Sequence, residues 1–467
     1  MIRARSGHRS ESVIDMKIEN KSVLVLGAGK SGVSAVKFLL SKKCRVALYD
    51  GNEAEKPFYN ELRNDGCRMY LGVLPDLSEE TFDFAVISPG IPLTNPCAAL
   101  LKEANVPIWG ELELASRFIK KPLIGITGTN GKTTTTTLIG EIFRNAGYRT
   151  FVGGNIGVPL LESLNEEYDY YVVEMSSFQL ETIETMDAAV SLFLNLTPDH
   201  LDRHGSMDGY LAAKGNLAAK QSKNHFTVLN YDDESIRSLE KVTGGTPVFF
   251  SRETHIYTGT SLRENGDIVF IGADGVKAEK VMNASEIRLP GPHNLENAMG
   301  AITAAKLMGI DNKAIVDTLK KFSGVEHRLE DVRTLKGVRY VNDSKATNPD
   351  SVFKALASYG DAPIILIGGG RNKGNCFDDL GVLIEEKCKS LILIGEAAED
   401  MSVSAKKAGM EDVTIVEDMA AAVALAAQKG QKGDVVLLSP ANASFDQFNS
   451  FEHRGEVFKE LVMKLKK

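Results

Sequence analysis

Short β-branched and apolar runs alternate along this chain with stretches whose apolar positions recur at helical spacing. The runs at 23–26, 45–49, 84–88, 123–127, 171–174 and 191–195 predict strands, as do those at 339–342, 363–367, 390–394 and 435–439. Helical patterns lie between them, for instance at 132–146, 294–307 and 419–429. This alternation predicts α/β architecture with mainly parallel sheets. Between about 225 and 290 the pattern changes to short strands and polar turns, which predicts a small β-rich insertion. Lys120-Lys121-Pro122 and Phe322-Ser323-Gly324 interrupt the alternation, Pro122 by opposing helix continuation. The predicted domains are therefore 16–120, 121–324 and 325–467. Residues 1–15 are polar and Arg-rich without an apolar segment, so they read as a disordered extension or a misassigned start, not a secretory signal.

Composition narrows the picture. A chain of 467 residues exceeds one core and fits two or three domains. Hydrophobic content of 43% and charged content of 25% are those of a soluble globular protein. A net charge of −8 argues against a general nucleic-acid binder. No apolar run reaches membrane-spanning length. The five cysteines are scattered and no C-x-x-C occurs, so a reducing cytoplasm fits better than a disulfide framework or zinc site.

The strongest chemical signal is Gly128-Thr129-Asn130-Gly131-Lys132-Thr133-Thr134, which follows a predicted strand and opens a predicted helix. Two glycines let backbone amides face phosphate oxygens, Lys132 adds charge, and Thr133 offers a hydroxyl to Mg²⁺. Ile126 stands where a strict P-loop carries its first glycine. Glu174 ends an apolar run, where a carboxylate points into the ligand crevice of an α/β sheet and suits magnesium. His200 and His204 have H-x₃-H spacing, but Leu201 replaces the zincin glutamate, which excludes a metalloprotease. His200 is read either as a metal ligand or as a turn cap.

Gly27-Ala28-Gly29-Lys30-Ser31-Gly32 matches G-x-G-x-x-G, with Asp50 closing the next strand and Ser88-Pro89-Gly90 closing another. This pattern accepts a dinucleotide or a nucleotide-sugar diphosphate alike. Asn294 and Asn297 share one helix face at i, i+3, with helix capping the plainer role, more so for Asn294. In the last domain, Arg328 is suited to bridge a triphosphate, Asp343 to hold ribose or metal-bound water, and Lys345 to neutralise phosphate charge. Gly368-Gly369-Gly370-Arg371-Asn372-Lys373 is a further glycine turn carrying cations.

Taken in order, G-T-N-G-K-T-T, N-L-T-P-D-H-L-D-R-H, H-N-x-x-N, H-R-x-E and N-D-S-K-A-T-N resemble the ATP-dependent Mur ligases of peptidoglycan synthesis. The segment S-P-A-N-A-S-F-D-Q-F-N-S-F-E-H-R at 439–454 is similar to the branch that adds D-glutamate. The resemblance runs from residue 16 to the C-terminus. It implies an N-terminal Rossmann-like domain, a central P-loop ATPase-like parallel sheet with the small β insertion, and a C-terminal Rossmann-like domain. It implies that Gly29, Lys30, Ser31, Asp50, Ser88, Pro89, Gly90, Asn155 and His200 hold UDP-N-acetylmuramoyl-L-alanine. Gly128 to Thr134, Asn294, Asn297, Arg328 and Asp343 would take ATP. Thr133, Glu174, His200 and Lys214 would organise two Mg²⁺ ions, Lys214 falling where the family carries a carbamylated lysine. From sequence alone Lys214 is a helix-face lysine. Lys345, Thr347, Lys373, Ser444, Phe445 and Phe451 would grip D-glutamate. Lys132, Glu174, His200, Lys214 and Lys345 would be the catalytic set of a cytoplasmic monomer, whose C-terminal domain closes as a rigid body. Gly51 and Asn52 follow Asp50 where familiar relatives carry a Thr-Arg pair. The rival readings are a Mur-type ligase for another amino acid and an NAD-dependent oxidoreductase or nucleotide-sensing binding protein built on the first domain. The second leaves Lys132, Glu174 and Asp343 without a role.

Overall fold

The computed structural model describes residues 17–372 and 375–466. Lys373 and residues 1–15 lie outside that range. Three sheets carry the fold. The first contains β1 (Ser22–Leu26), β2 (Arg45–Asp50), β3 (Arg68–Leu71), β4 (Phe84–Ile87) and β5 (Ile108–Gly110), ordered β3-β2-β1-β4-β5 and parallel throughout. Both faces of β1 are covered, which explains its unbroken Val-Leu-Val-Leu run. The order reverses between β1 and β4, so ligand crevices open at their carboxyl ends.

The central sheet holds β6 (Leu123–Thr127), β7 (Thr150–Gly154), β8 (Tyr170–Glu174), β9 (Val190–Phe193) and β10 (Phe226–Asn230). It continues with β11 (Thr246–Ser251), β12 (Gly259–Leu262), β13 (Asp267–Ile271) and β14 (Ala278–Asn283). Its order is β14-β13-β12-β11-β10-β9-β6-β8-β7. The β-rich stretch is therefore the outer part of this sheet, turning antiparallel only at β12–β13–β14. β6 lies between β8 and β9, so the loops following all three strands are neighbours.

The third sheet comprises β15 (Glu330–Leu335), β16 (Val338–Asn342), β17 (Ile364–Gly369), β18 (Cys388–Ile394), β19 (Val413–Ile415) and β20 (Val435–Ala441). Its order is β15-β16-β20-β17-β18-β19, with only β15 antiparallel. The chain packs as two compact units: 1–287 with 296–320, and 288–295 with 321–467. The first carries the first two sheets and the second carries the third. Among the described residues, no helix is long and apolar enough to cross a membrane.

One apolar cluster runs from the first sheet into the central one, joining Val23, Val25 and Trp109 to Leu160, Val173 and Leu217. The short helix Glu111–Ser116 adds two buried carboxylates to this junction. Glu113 accepts from the amides of Glu184, Thr185 and Met186 and from the Thr185 hydroxyl, and it pairs with Arg117. Glu111 Oε1 accepts from Leu161 N at 2.6 Å, while its Oε2 has no hydrogen-bond partner.

Burial raises the Glu111 pKa from 4.5 to about 7, reinforced by Glu162 and opposed by the Leu160 and Leu161 amides. The folded state therefore keeps a proton that the unfolded chain releases. Stability falls as pH climbs from the unfolded value through about 7. Glu111→Gln should remove this dependence, which amounts to about 3 kcal/mol across the window. Urea midpoints at pH 5 and pH 8 check it, and an unaltered difference between them would refute the assignment.

Four cysteines (Cys44, Cys67, Cys97 and Cys388) are buried and unpaired, whereas Cys376 is exposed. Burial pushes their thiols up to about 11 at Cys44 and about 12 at the other three.

Candidate active site

The loop after β6 turns into helix Lys132–Asn145 through Gly131, which is left-handed at φ +84°. A Cβ there would lie 2.2 Å from Asn297 Oδ1, so a side chain at this left-handed position would be strained and would displace Asn297. Asn297 thus packs on the phosphate loop. The β9 side fixes the loop further. Thr129 N donates to Asn195 O at 2.9 Å, and Asn130 N to Asn195 Oδ1 at 2.8 Å. Thr197 N donates to Thr129 Oγ1 at 3.0 Å. Lys132 Nζ donates to the carbonyls of Gly128 (2.9 Å) and Thr129 (2.7 Å).

Glu174 ends β8 and is 2% exposed. Its Oε2 accepts from Thr133 Oγ1 at 2.8 Å, and its Oε1 from Asn155 Nδ2 at 2.9 Å. Thr133 at the start of helix Lys132–Asn145, Asn155 just after β7 and Glu174 at the end of β8 therefore meet. The Thr133–Glu174 spacing suits magnesium, whose bonds of about 2.1 Å place adjacent oxygens roughly 3 Å apart.

His200 is left-handed (φ +54°) and precedes the short helix Leu201–His204, but its side chain makes no capping bond. The ring stands 4.7 Å from Phe178 between centroids. Burial, reinforced by Lys132 and Lys214 and opposed by Asp199, lowers its pKa and favours the neutral, metal-binding form. Lys214 is 1% exposed, donates from Nζ to Gly128 O at 2.9 Å, and sits 4.4 Å from the Tyr210 ring centroid. Burial, with Lys132 nearby, lowers its pKa well below the ordinary lysine value.

In the first sheet, Gly32 packs so closely that a Cβ would lie 1.9 Å from Gly27 O. Ser88 Oγ donates to that same carbonyl at 3.1 Å. A Cβ on Gly29 or Gly90 would meet no atom, so these two leave the crevice mouth open. Lys30, at the start of helix Lys30–Ser41 with Ser31, reaches the Gly157 carbonyl next to the Asn155 loop. Pro89 is partly buried between Ser88 and Gly90. Asp50 already accepts from Lys56 Nζ (2.7 Å), Tyr59 OH (2.8 Å) and Asn52 N (3.1 Å). That engages most of its roughly four acceptor sites and ties the Gly51-Asn52 turn back onto the carboxylate.

In the second compact unit, β16, β20 and β17 are neighbours, and their carboxyl-end loops carry most of the residues assigned to D-glutamate. Asp343 is fully buried, accepting from Ser439 Oγ (2.8 Å) and Leu329 N (3.2 Å), with Arg328 at 3.6 Å. Burial raises its pKa against the pull of Arg328. Lys345 Nζ lies 5.4 Å from the Phe451 ring centroid. Ser444 is buried, Thr347 half-buried and Phe445 exposed. Asn294, in the same unit and inside helix Pro292–Leu307, donates from Nδ2 to Pro290 O at 2.7 Å, a bond to a carbonyl and not the acceptance of a helix N–H that capping requires.

Two arginines that the motifs contain gained no role from sequence. Arg454 is 1% exposed and binds Ser344 Oγ and O, Asn442 O and Ala443 O, tying helix Phe451–Lys464 to two site loops. Arg203 pairs with Glu181 through two hydrogen bonds. Their signal was placement inside the N-L-T-P-D-H-L-D-R-H and F-E-H-R strings, but an Arg in a string does not reveal its depth.

Comparison with known proteins places the chain in a family. Residues 21–110 match the Mur ligase MurD-like N-terminal domain, 126–305 the Mur ligase middle domain, and 327–442 the Mur ligase glutamate ligase domain. The UDP-N-acetylmuramoylalanine–D-glutamate ligase of Pelotomaculum thermopropionicum is 46% identical over 453 residues, covering 96% of this chain and 98% of that protein. The enzyme of that name from Clostridioides difficile is 44% identical, covering 97% and 100%. Among solved structures, a pseudomurein peptide ligase type C from Methanothermus fervidus superposes with a TM-score of 0.60 at 20% identity, covering 96% of this chain and all of that one. The UDP-N-acetylmuramate-alanine ligase of Thermotoga maritima gives 0.58 at 18%, again covering 96% and 100%, and both support the fold alone. With near-complete coverage at this identity, the chain belongs to the Mur ligase family.

Proposed function

We propose that this protein joins D-glutamate to UDP-N-acetylmuramoyl-L-alanine at the expense of ATP, forming ADP and phosphate in peptidoglycan precursor synthesis. The observation that carries the reading is the meeting of Thr133, Asn155 and Glu174 beneath the phosphate loop. The lactoyl-alanine carboxylate attacks the γ-phosphate, giving an acyl phosphate and ADP. The D-glutamate amine then attacks the acyl carbon, and inorganic phosphate leaves. Phosphorylation is needed because a carboxylate is a poor electrophile.

Residues of the chain supply position and charge in this scheme. Lys132 and the loop amides hold the triphosphate. Gly29, Lys30, Ser31 and the Ser88-Pro89-Gly90 turn hold the uridine diphosphate, with Asp50 on its sugar or base. Asn155 and His200 orient the acyl arm. Thr133, Glu174 and His200 offer the donors for Mg²⁺, which when bound would offset phosphoryl charge. A buried Lys214 amine of lowered pKa is the form that captures CO₂, consistent with a carbamate there as a further oxygen ligand. Asn294, Asn297, Arg328 and Asp343 are assigned to ATP, and Lys345, Thr347, Lys373, Ser444, Phe445 and Phe451 to D-glutamate. The cytoplasm is the compartment where these substrates are made.

The test is phosphate release from ATP with UDP-N-acetylmuramoyl-L-alanine across a panel of amino acids. Release that depends on D-glutamate is expected. Preference for L-alanine or diaminopimelate would overturn the assignment, as would NADH binding without ATP turnover.

A further inference from the structure

The proposed reaction needs a carboxylate held by one sheet to meet a phosphate held by another. Two cationic side chains cross between these sheets at the loops concerned. Lys30 runs from the glycine turn of the first sheet to the Gly157 carbonyl of the central domain. Arg203 runs the opposite way, from the short helix Leu201–His204 that follows β9, with NH2 donating to Ile91 O at 3.3 Å.

Arg203 is the more informative of the two. Ile91 follows the Ser88-Pro89-Gly90 turn and closes it through Ile91 N to Ser88 O at 3.0 Å. Its side chain also packs on the glycine turn, where a Cβ added to Gly27 would lie 2.7 Å from Ile91 Cδ1. The carbonyl that Arg203 grips therefore belongs to the wall of the diphosphate crevice. On its own side, Arg203 is three residues from His200. Glu181 holds it in a two-point pair, Nε to Oε1 at 3.2 Å and NH2 to Oε2 at 2.6 Å, with 14% and 17% side-chain exposure. The guanidinium carbon lies 4.8 Å from the Phe178 ring centroid, and Phe178 also contacts His200. Glu181 in turn follows helix Ser177–Leu180, which starts three residues beyond Glu174. A planar fork with a fixed carboxylate, a ring beneath it and a third N–H on the Ile91 carbonyl has little freedom to move.

We propose that Arg203 is a positioning residue that sets the spacing between the diphosphate crevice and the Glu174–His200 phosphoryl site. Glu181 and Phe178 hold it in register. Lysine would keep the charge but lose the fork, so Arg203→Lys separates geometry from electrostatics. Misplacement of reacting groups by about 1 Å is enough to cost on the order of 10²-fold in rate.

This inference rests on the ligase reading above, and the experiment separates the two. Wild type, R203K, E181Q and R203K/E181Q are assayed for D-glutamate-dependent phosphate release, with UDP and ADP affinities by calorimetry and melting temperatures alongside. R203K should lower kcat about 30-fold, while UDP and ADP affinities stay within about threefold and the melting temperature is unchanged. E181Q should lower kcat by a smaller factor, and the double variant should be no slower than R203K, because both act through one contact. An R203K kcat within about threefold of an active wild type overturns the proposal. So do additive effects in the double variant, or equal losses in both nucleotide affinities with a lowered melting temperature. A wild type that shows no D-glutamate dependence overturns the ligase reading instead.

Discussion

Glu174→Ala is expected to lower D-glutamate-dependent phosphate release by about 10³-fold. The carboxylate accepts from the Thr133 hydroxyl and the Asn155 amide at once, so one deletion frees both side chains. Its burial sharpens the effect, because charge in a dry site is weakly screened. Glu174→Gln preserves shape and an acceptor oxygen but removes the charge that a divalent cation needs. It should therefore fall nearly as far in rate while restoring whatever stability the alanine variant loses. Steady-state kinetics with varied Mg²⁺ check this, and a glutamine variant within tenfold of wild type would remove Glu174 from the phosphoryl site.

Arg454→Met should act on folding. Its guanidinium satisfies the carbonyls of Ser344, Asn442 and Ala443 and the Ser344 hydroxyl, all in a site from which water is excluded. Burial already lowers the arginine pKa to about 10, with Asp446 and Asp343 opposing, so part of the gain is offset by desolvation. Methionine fills much of the volume but leaves the acceptors unpaired, at about 3–5 kcal/mol in total. The loss should be local to the second compact unit. The single tryptophan, Trp109, lies in the first unit and reports on that unit alone. Urea titration should therefore show the circular-dichroism transition splitting while the tryptophan fluorescence midpoint holds. Coincident, unshifted transitions would contradict the assignment.

The central strands were legible in the chain because parallel strands covered on both faces are uniformly apolar, as at β1, β6 and β8. Edge strands carried far less signal. β15 reads Glu-Asp-Val-Arg-Thr-Leu, β7 ends in two glycines, and β5 has three residues. Chemistry at strand ends was legible for a related reason: a phosphate loop, a terminal carboxylate and a glycine turn each have a fixed place relative to their strand. Thr133 and Glu174 could be assigned to the metal-phosphate site and Asn155, through the family resemblance, to the acyl substrate, but the hydrogen bonds that join them could not. The same gap hid Arg203 and Arg454, since each reaches backbone carbonyls as well as a side chain, and no side-chain pattern records a carbonyl partner. His200 was left between ligand and turn cap. The structure divides those roles, giving the turn to its backbone and leaving its ring unused for capping.

The distribution of sulfur has a practical outcome. Four thiols are enclosed by the apolar layers and shifted to about 11 or 12, whereas Cys376 faces outward between β17 and helix Asp378–Lys387. A maleimide dye offered to the native protein near neutrality thus has one accessible attachment point. That point lies four residues from Asn372, so the unaltered chain already carries a handle for following this part of the second compact unit by fluorescence.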